Sequence, residues 1–160
     1  MDTVYGIIDI GTLKVKLLIA SFNKGVLAEK YSSSTLTCFG CDMDANKGNI
    51  LEKNIGKTLK ELKRCKEMLG KYKVSKFRVI STHALRRAKN KDEIITRIRK
   101  EVGFDVENIS QEKEAEVFFN AVMRDFPRNK EFAVLDMGGG SVQILLGSRN
   151  DLETVHLMQT

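Results

Sequence analysis

The feature that most constrains this chain is an internal repeat. Ile8-Asp9-Ile10-Gly11-Thr12-Leu13-Lys14-Val15 aligns with Leu135-Asp136-Met137-Gly138-Gly139-Gly140-Ser141-Val142, Asp on Asp, Gly on Gly and Val on Val. The match continues through Leu18/Leu145 and Ser21/Ser148 to Asn23/Asn150. Apolar residues flank both turns, the pattern of a strand that enters and leaves a tight bend. A single Asp-x-Gly arises by chance, but the same strand-turn-strand context twice points to a duplicated unit. One complete unit is expected, followed by the opening three strands of a second.

The stretch between the turns fills in the first unit. Residues 4–10, 15–19 and 26–31 read as three meandering strands, and 32–49 as a long loop without a period. A helix follows, lined by Leu51, Ile55, Leu59, Leu62 and Leu69 and closed by Gly70. After a strand at 77–81, Asn90 is the expected cap of a second helix, with Glu93 completing a capping box. Its buried stripe is Ile94, Ile95, Ile98 and Val102, and Gly103 ends it. A strand at 106–109 leads to a helix capped by Ser110, with Ala115, Phe118, Ala121 and Val122 inward. Pro127 lies in the loop beyond, and strands return at 132–136, 142–146 and 152–157. Three meandering strands followed by alternating helix and strand imply a mixed sheet with helices on its faces.

Composition sets the class. With 160 residues, 42% hydrophobic and 30% charged, the chain can bury a core, which excludes disordered and collagen-like readings. No apolar run approaches the ~20 residues of a membrane span. Met1-Asp2-Thr3-Val4 lacks the basic-then-apolar start of a signal peptide, so a soluble, cytoplasmic protein with no membrane partner is expected. Lys plus Arg number 27 against 21 Asp plus Glu, a net +6 that favours a polyanionic partner. Many of the lysines from Lys53 to Lys76 recur at helical spacing, as on a solvated face, and nucleic acid is not the expected partner. Cys38 and Cys41 form a Cys-x-x-Cys spacing, but Cys65, His83 and His156 are remote in sequence and supply no second pair. Reduced, half-buried thiols are expected.

The two turns suit phosphate and metal chemistry. Glycine lets backbone approach an anion, the Thr12 and Ser141 hydroxyls add donors, and Asp9 and Asp136 at strand ends can each hold Mg²⁺. Gly138-Gly139-Gly140 is the stronger signal, because a glycine run weakens a strand pair. No P-loop and no Gly-x-Gly-x-x-Gly is present.

Four segments in order carry a family likeness: Asp9-Ile10-Gly11-Thr12; Ser81-Thr82-His83-Ala84-Leu85-Arg86-Arg87-Ala88-Lys89-Asn90; Ile109-Ser110-Gln111-Glu112-Lys113-Glu114-Ala115; and Asp136-Met137-Gly138-Gly139-Gly140-Ser141. Together they resemble the N-terminal half of the exopolyphosphatase / guanosine pentaphosphate phosphohydrolase family, within the superfamily of actin, heat-shock chaperones and sugar kinases. The resemblance implies an α/β fold: a ribonuclease-H-like mixed sheet with flanking helices over residues 1–125, and an incomplete second unit over 126–160. It implies a hydrolase that releases terminal orthophosphate from inorganic polyphosphate or guanosine pentaphosphate, with Mg²⁺ as cofactor. By position, Glu114 resembles the catalytic base and Arg86 the phosphate-gripping arginine. Asp9 and Asp136 would serve the metal, and Gly11, Thr12, Gly138, Gly139, Gly140 and Ser141 the phosphate. Residue chemistry alone reads Glu114 as a surface glutamate beside Glu112 and Glu116.

Some positions depart from the family. Leu13 and Lys14 replace small polar residues, Gln143 a glutamate near the metal, Cys38 a basic residue, and Gln111 a glycine before the catalytic helix. A truncated or degenerate module that binds phosphate or nucleotide without hydrolysis is the alternative; an ATP-using sugar or acyl kinase fits the four segments less well. With no helices to cover strands 132–157, an apolar face and open edges are expected. The hairpin should then pack back onto the first sheet or pair with a second copy as a homodimer, and hydrolysis by these 160 residues alone should be weak or absent.

Overall fold

The computed structural model describes residues 3–23, 26–124, 130–148 and 151–159; Lys24, Gly25, Pro127 and Asn150 fall outside them. Two compact units divide between Asn108 and Ile109. The first holds β1 (Val4–Ile10), β2 (Lys14–Asn23), β3 (Val26–Leu36), α1 (Glu52–Lys71), β4 (Lys76–Ser81), α2 (His83–Arg87), α3 (Lys91–Val102) and β5 (Val106–Asn108). The second holds α4 (Gln111–Met123), β6 (Glu131–Met137), β7 (Ser141–Ser148) and β8 (Asp151–Gln159).

The first unit is a five-stranded sheet in the order β3-β2-β1-β4-β5. β3, β2 and β1 meander antiparallel, whereas β4 and β5 join parallel to β1. This is the mixed sheet of the ribonuclease-H-like expectation. Alternation sends Ile8 and Ile10 of β1, and Val15, Leu17 and Ile19 of β2, into one core. There they meet Ile55, Leu59, Leu62, Cys65 and Leu69 of α1 and Ile94, Ile98 and Val102 of α3, each set at helical spacing. Gly103 ends α3 at φ +78°, a left-handed cap that a β-carbon would strain.

In the second unit β6, β7 and β8 form an antiparallel sheet. Ser110 caps α4 as expected, its side chain accepting the Lys113 N–H at 3.2 Å. The helix buries Ala115, Phe119 and Met123 with Leu145, and Phe118, Val122, Phe132, Val134 and Leu152 pack around them.

Several sequence expectations need correction. The strands after residue 131 were expected to lack a covering helix, yet α4 covers one face of their sheet; among the described residues Leu135, Met137 and Met158 of the opposite face are exposed. As a packing unit α4 goes with the strands after it. Phe119 and Met123 take the inward positions, and Ala121 is exposed. β3 runs on to Leu36 where a loop was expected, α1 passes through Gly70 to Lys71, and α2 is an additional helix. Asn90 precedes α3 but makes no side-chain cap. Its amide instead accepts the Ile50 N–H at 3.0 Å and donates to the Ile50 carbonyl at 3.1 Å.

That clamp gives a test. Asn90→Ala strands both backbone groups of Ile50, which is 2% exposed, and should cost about 2–3 kcal/mol in urea unfolding. Ser110→Ala, which removes an ordinary cap, should cost about 1 kcal/mol. Equal losses would return Asn90 to the role of a helix cap.

Candidate phosphate and metal site

The sequence-nominated residues fall into two sets, one in each unit. Asp9, Gly11, Thr12 and Arg86 belong to the first; Glu114, Asp136, Gly138, Gly139, Gly140 and Ser141 belong to the second. Each set is built by a hairpin of the same design. The Gly11 N–H donates to the Lys14 carbonyl at 3.0 Å, and the Gly138 N–H to the Ser141 carbonyl at 2.8 Å. The register that follows is also shared: Asp9 lies opposite Lys16, and Asp136 opposite Gln143. Both glycine N–H groups are thus spent inside the hairpins, which shifts any anion contact to the other groups of the turns.

In the first unit three segments converge at the carboxyl ends of β1 and β4, where open α/β sheets place their ligands. The Thr12 carbonyl accepts the Gly40 N–H at 2.9 Å, and the Leu13 carbonyl accepts the Thr37 and Cys38 N–H groups. Ser81 Oγ donates to the Ile10 carbonyl at 3.3 Å, so α2 starts beside the Gly11 turn. Arg86, half-buried, lies on α2, and its own N–H donates to the Thr82 carbonyl. A β-carbon on Gly40 would sit 2.8 Å from Ala84 Cβ and 2.9 Å from Thr12 Cγ2, so only glycine lets these segments close. The sequence reading missed this staple, although Phe39-Gly40 between two cysteines was its visible trace.

Asp9 is the electrostatic anomaly of this unit. Burial raises its carboxyl above the ordinary value of 3.8, with Lys16 opposing in part, and Oδ1 is buried without a hydrogen-bond partner. Asp9 and Lys16 border a groove of ≈ 530 Å³ that Ser32, Ser33 and Ser34 also line. Burial and the Arg87 and Arg86 charges lower the pKa of His83, which is 6% exposed. Burial also pushes the Cys41 thiol up to about 11 and Cys65 up to about 12, leaving both as thiols at neutral pH. Among the described residues no three His, Cys, Asp or Glu side chains are grouped to hold a metal.

In the second unit Glu114 stands in the first turn of α4, half-buried, with its N–H donating to the Ser110 carbonyl at 3.0 Å. Asp136 is half-buried on β6, and Ser141, 5% exposed, begins β7. α4 and the β6–β7 hairpin therefore bring Glu114, Asp136 and the glycine turn into one layered unit. Gln143, 1% exposed, was noted in the sequence only as a departure from the family.

A mixed sheet in the order 3-2-1-4-5, followed by a second unit that carries the same hairpin, defines the actin-like, ribonuclease-H-like ATPase fold. A model of the Ppx/GppA phosphatase family matches residues 31–157, and the chain belongs to that family. It is 34% identical over 154 residues to a bifunctional 3-dehydroquinate synthase/phosphatase of Fusobacterium nucleatum, a match that covers 91% of this chain and 23% of that protein. It is 25% identical to exopolyphosphatase 1 of Mycobacterium tuberculosis, covering 89% of this chain and 42% of the relative. The crystal structure of an exopolyphosphatase from Cytophaga hutchinsonii superposes with a TM-score of 0.92 at 30% identity, over 98% of this chain and 50% of that one. The chain thus spans half or less of the length of these relatives.

The raised Asp9 pKa has a defined sign. The folded state binds the Asp9 proton more tightly than the unfolded state, so this group's stabilising contribution is present below 3.8 and is lost as pH rises through the folded value. Asp9→Asn should therefore raise Tm at pH 7, with the gain closing as pH falls toward 3.8. A gain that is constant across pH would assign it to something other than the buried charge. Gly40→Ala should lower Tm at every pH.

Proposed function

We propose that this chain is the N-terminal portion of a phosphoanhydride hydrolase that releases terminal orthophosphate from inorganic polyphosphate or guanosine pentaphosphate in the cytoplasm. The observation that carries this reading is the second unit: Glu114 stands in the first turn of a Ser110-capped helix that packs, through Ala115, Phe119 and Met123, on the sheet carrying Asp136 and its glycine turn. Family membership and an exopolyphosphatase relative support the substrate class.

In this reading water attacks the terminal phosphorus in line with the bridging oxygen. The phosphoanhydride P–O bond breaks, its electron pair leaves on the shortened chain, and Glu114 accepts the proton of the water. Arg86 holds phosphoryl oxygens, and the hydroxyls of Thr12 and Ser141 add donors with Gly139 and Gly140 of the turn. Gly11 and Gly138 act by shaping the hairpins, since their N–H groups are occupied. Asp9 and Asp136 are the carboxylates that would hold Mg²⁺; the unpartnered Asp9 Oδ1 is consistent with such a ligand. The ion would supply charge neutralisation on the phosphoryl oxygens. No helix among the described residues is long and apolar enough to cross a membrane. The open apolar face of the second sheet is where a homodimer would form, and sedimentation at increasing concentration tests it.

The discriminating assay is orthophosphate release from polyphosphate and from guanosine pentaphosphate with Mg²⁺. Glu114→Gln should lower turnover by about 10²–10⁴-fold, the range of a lost general base. Equal release by both proteins would remove Glu114 as the base. Phosphate binding without release by the unsubstituted chain would favour the binding-module alternative.

A further inference from the structure

We propose that Cys38 and Cys41 form a modification site, at which hydrogen peroxide converts the pair to a reversible disulfide closed around Phe39 and Gly40. The inference stands apart from the phosphohydrolase reading, because it uses only the two thiols and the turn that carries them. Both cysteines are free and half-buried, within reach of a small oxidant, whereas Cys65 on α1 is fully buried. The Cys41 N–H donates to the Cys38 carbonyl at 3.0 Å, which closes a tight turn. Such a turn holds its end Cα atoms within ~7 Å, and a disulfide spans ~4.4–6.8 Å. The side chains also meet: burial first, and then a hydrogen bond to Cys38, push the Cys41 thiol up to about 11. Cys38 itself sits at φ +51°, a left-handed conformation that costs any residue with a β-carbon. Zinc needs four ligands, and among the described residues no group of three metal-ligating side chains forms. The chemistry open to this pair is therefore between its own sulfurs.

Cys41 holds its proton, so Cys38 makes the first attack. Its sulfur takes one oxygen of the peroxide, the O–O bond breaks, and the second oxygen leaves as water with the Cys38 proton. The Cys41 sulfur then attacks the sulfenic sulfur of Cys38. The S–O bond breaks, and hydroxide leaves as water with the Cys41 proton. Two thiols and one peroxide give one disulfide and two waters, with two electrons passing from sulfur to oxygen. The ring encloses the segment that supports the first glycine turn. The Cys38 N–H donates to the Leu13 carbonyl and the Gly40 N–H to the Thr12 carbonyl, both at 2.9 Å. Phe39 is 0% exposed, and Gly40 lies against Thr12 and against Ala84 of α2. Because the reduced turn is already closed, the new bond locks it in place, and the Thr12 turn stiffens with it.

The test treats the reduced chain with hydrogen peroxide, alkylates the remaining thiols after unfolding, and maps the product by mass. The peptide holding Cys38 and Cys41 should be lighter by two hydrogens within one chain, with Cys65 alkylated, and dithiothreitol should restore it. Amide exchange at Cys38 and Gly40 should slow by about tenfold on oxidation, and Tm should rise by a few degrees. Cys41→Ser should stop at a sulfenic acid on Cys38, trapped by dimedone, and Cys38→Ser should give no adduct. Thiols that stay reduced, a disulfide between chains, or over-oxidised sulfurs with no bond between them would overturn the site. A Cys38–Cys41 disulfide that leaves exchange and Tm unchanged would overturn the lock. An adduct on Cys41 in Cys38→Ser would overturn the order of attack.

Discussion

The structure depends on one small backbone device, a glycine N–H returned to the carbonyl three residues ahead. It closes the β1–β2 hairpin at Gly11 and the β6–β7 hairpin at Gly138. Because a strand alternates its faces, fixing that turn fixes every cross-strand pair behind it, including Asp9 with Lys16 and Asp136 with Gln143. A slip of one residue would turn Asp9 into the core and Ile8 and Ile10 out of it. The hydrophobic pattern and the turn thus enforce the same register.

Against that frame the candidate site carries local costs. Asp9 holds an unpartnered buried oxygen, and Gln143 holds an unpartnered buried amide. Neither unpartnered group improves the fold. Such costs persist where a ligand repays them, and both fall at hairpin ends beside the glycine turns. The surrounding scaffold is correspondingly rigid: the Cys38–Gly40 segment is bonded to Thr12 and Leu13, and Asn90 is bonded to Ile50.

The parts legible in the sequence were those with a strong local signal. The repeated Asp-x-Gly turn located both hairpins, and apolar spacing located α1, α3 and most of the strands. β3 was cut short because it is largely exposed and its polar Ser32-Ser33-Ser34 run carries no alternation. What holds it is remote: Arg64 on α1 bonds Tyr31 and Ser33. α2 has only five residues, too few for a helical period to appear. Asn90 was misassigned because a partner forty positions away, Ile50, outcompetes the local cap. The placement of α4 with the second sheet follows from Phe119 and Met123, whose spacing from Ala115 was read one position out of phase. The turn residues were nominated from the repeat and its chemistry, and Glu114 and Arg86 from family resemblance; the missing hydrogen bonds of Asp9 and Gln143 are properties of packing, which a sequence does not carry.

The most direct test of the central claim, that the glycine turns serve phosphate, is a crystal structure with tripolyphosphate and Mg²⁺ under conditions that block turnover. The account predicts a terminal phosphoryl group held at the Gly138–Ser141 turn, with Asp136 beside it. A ligand bound elsewhere while this turn stays empty would contradict it.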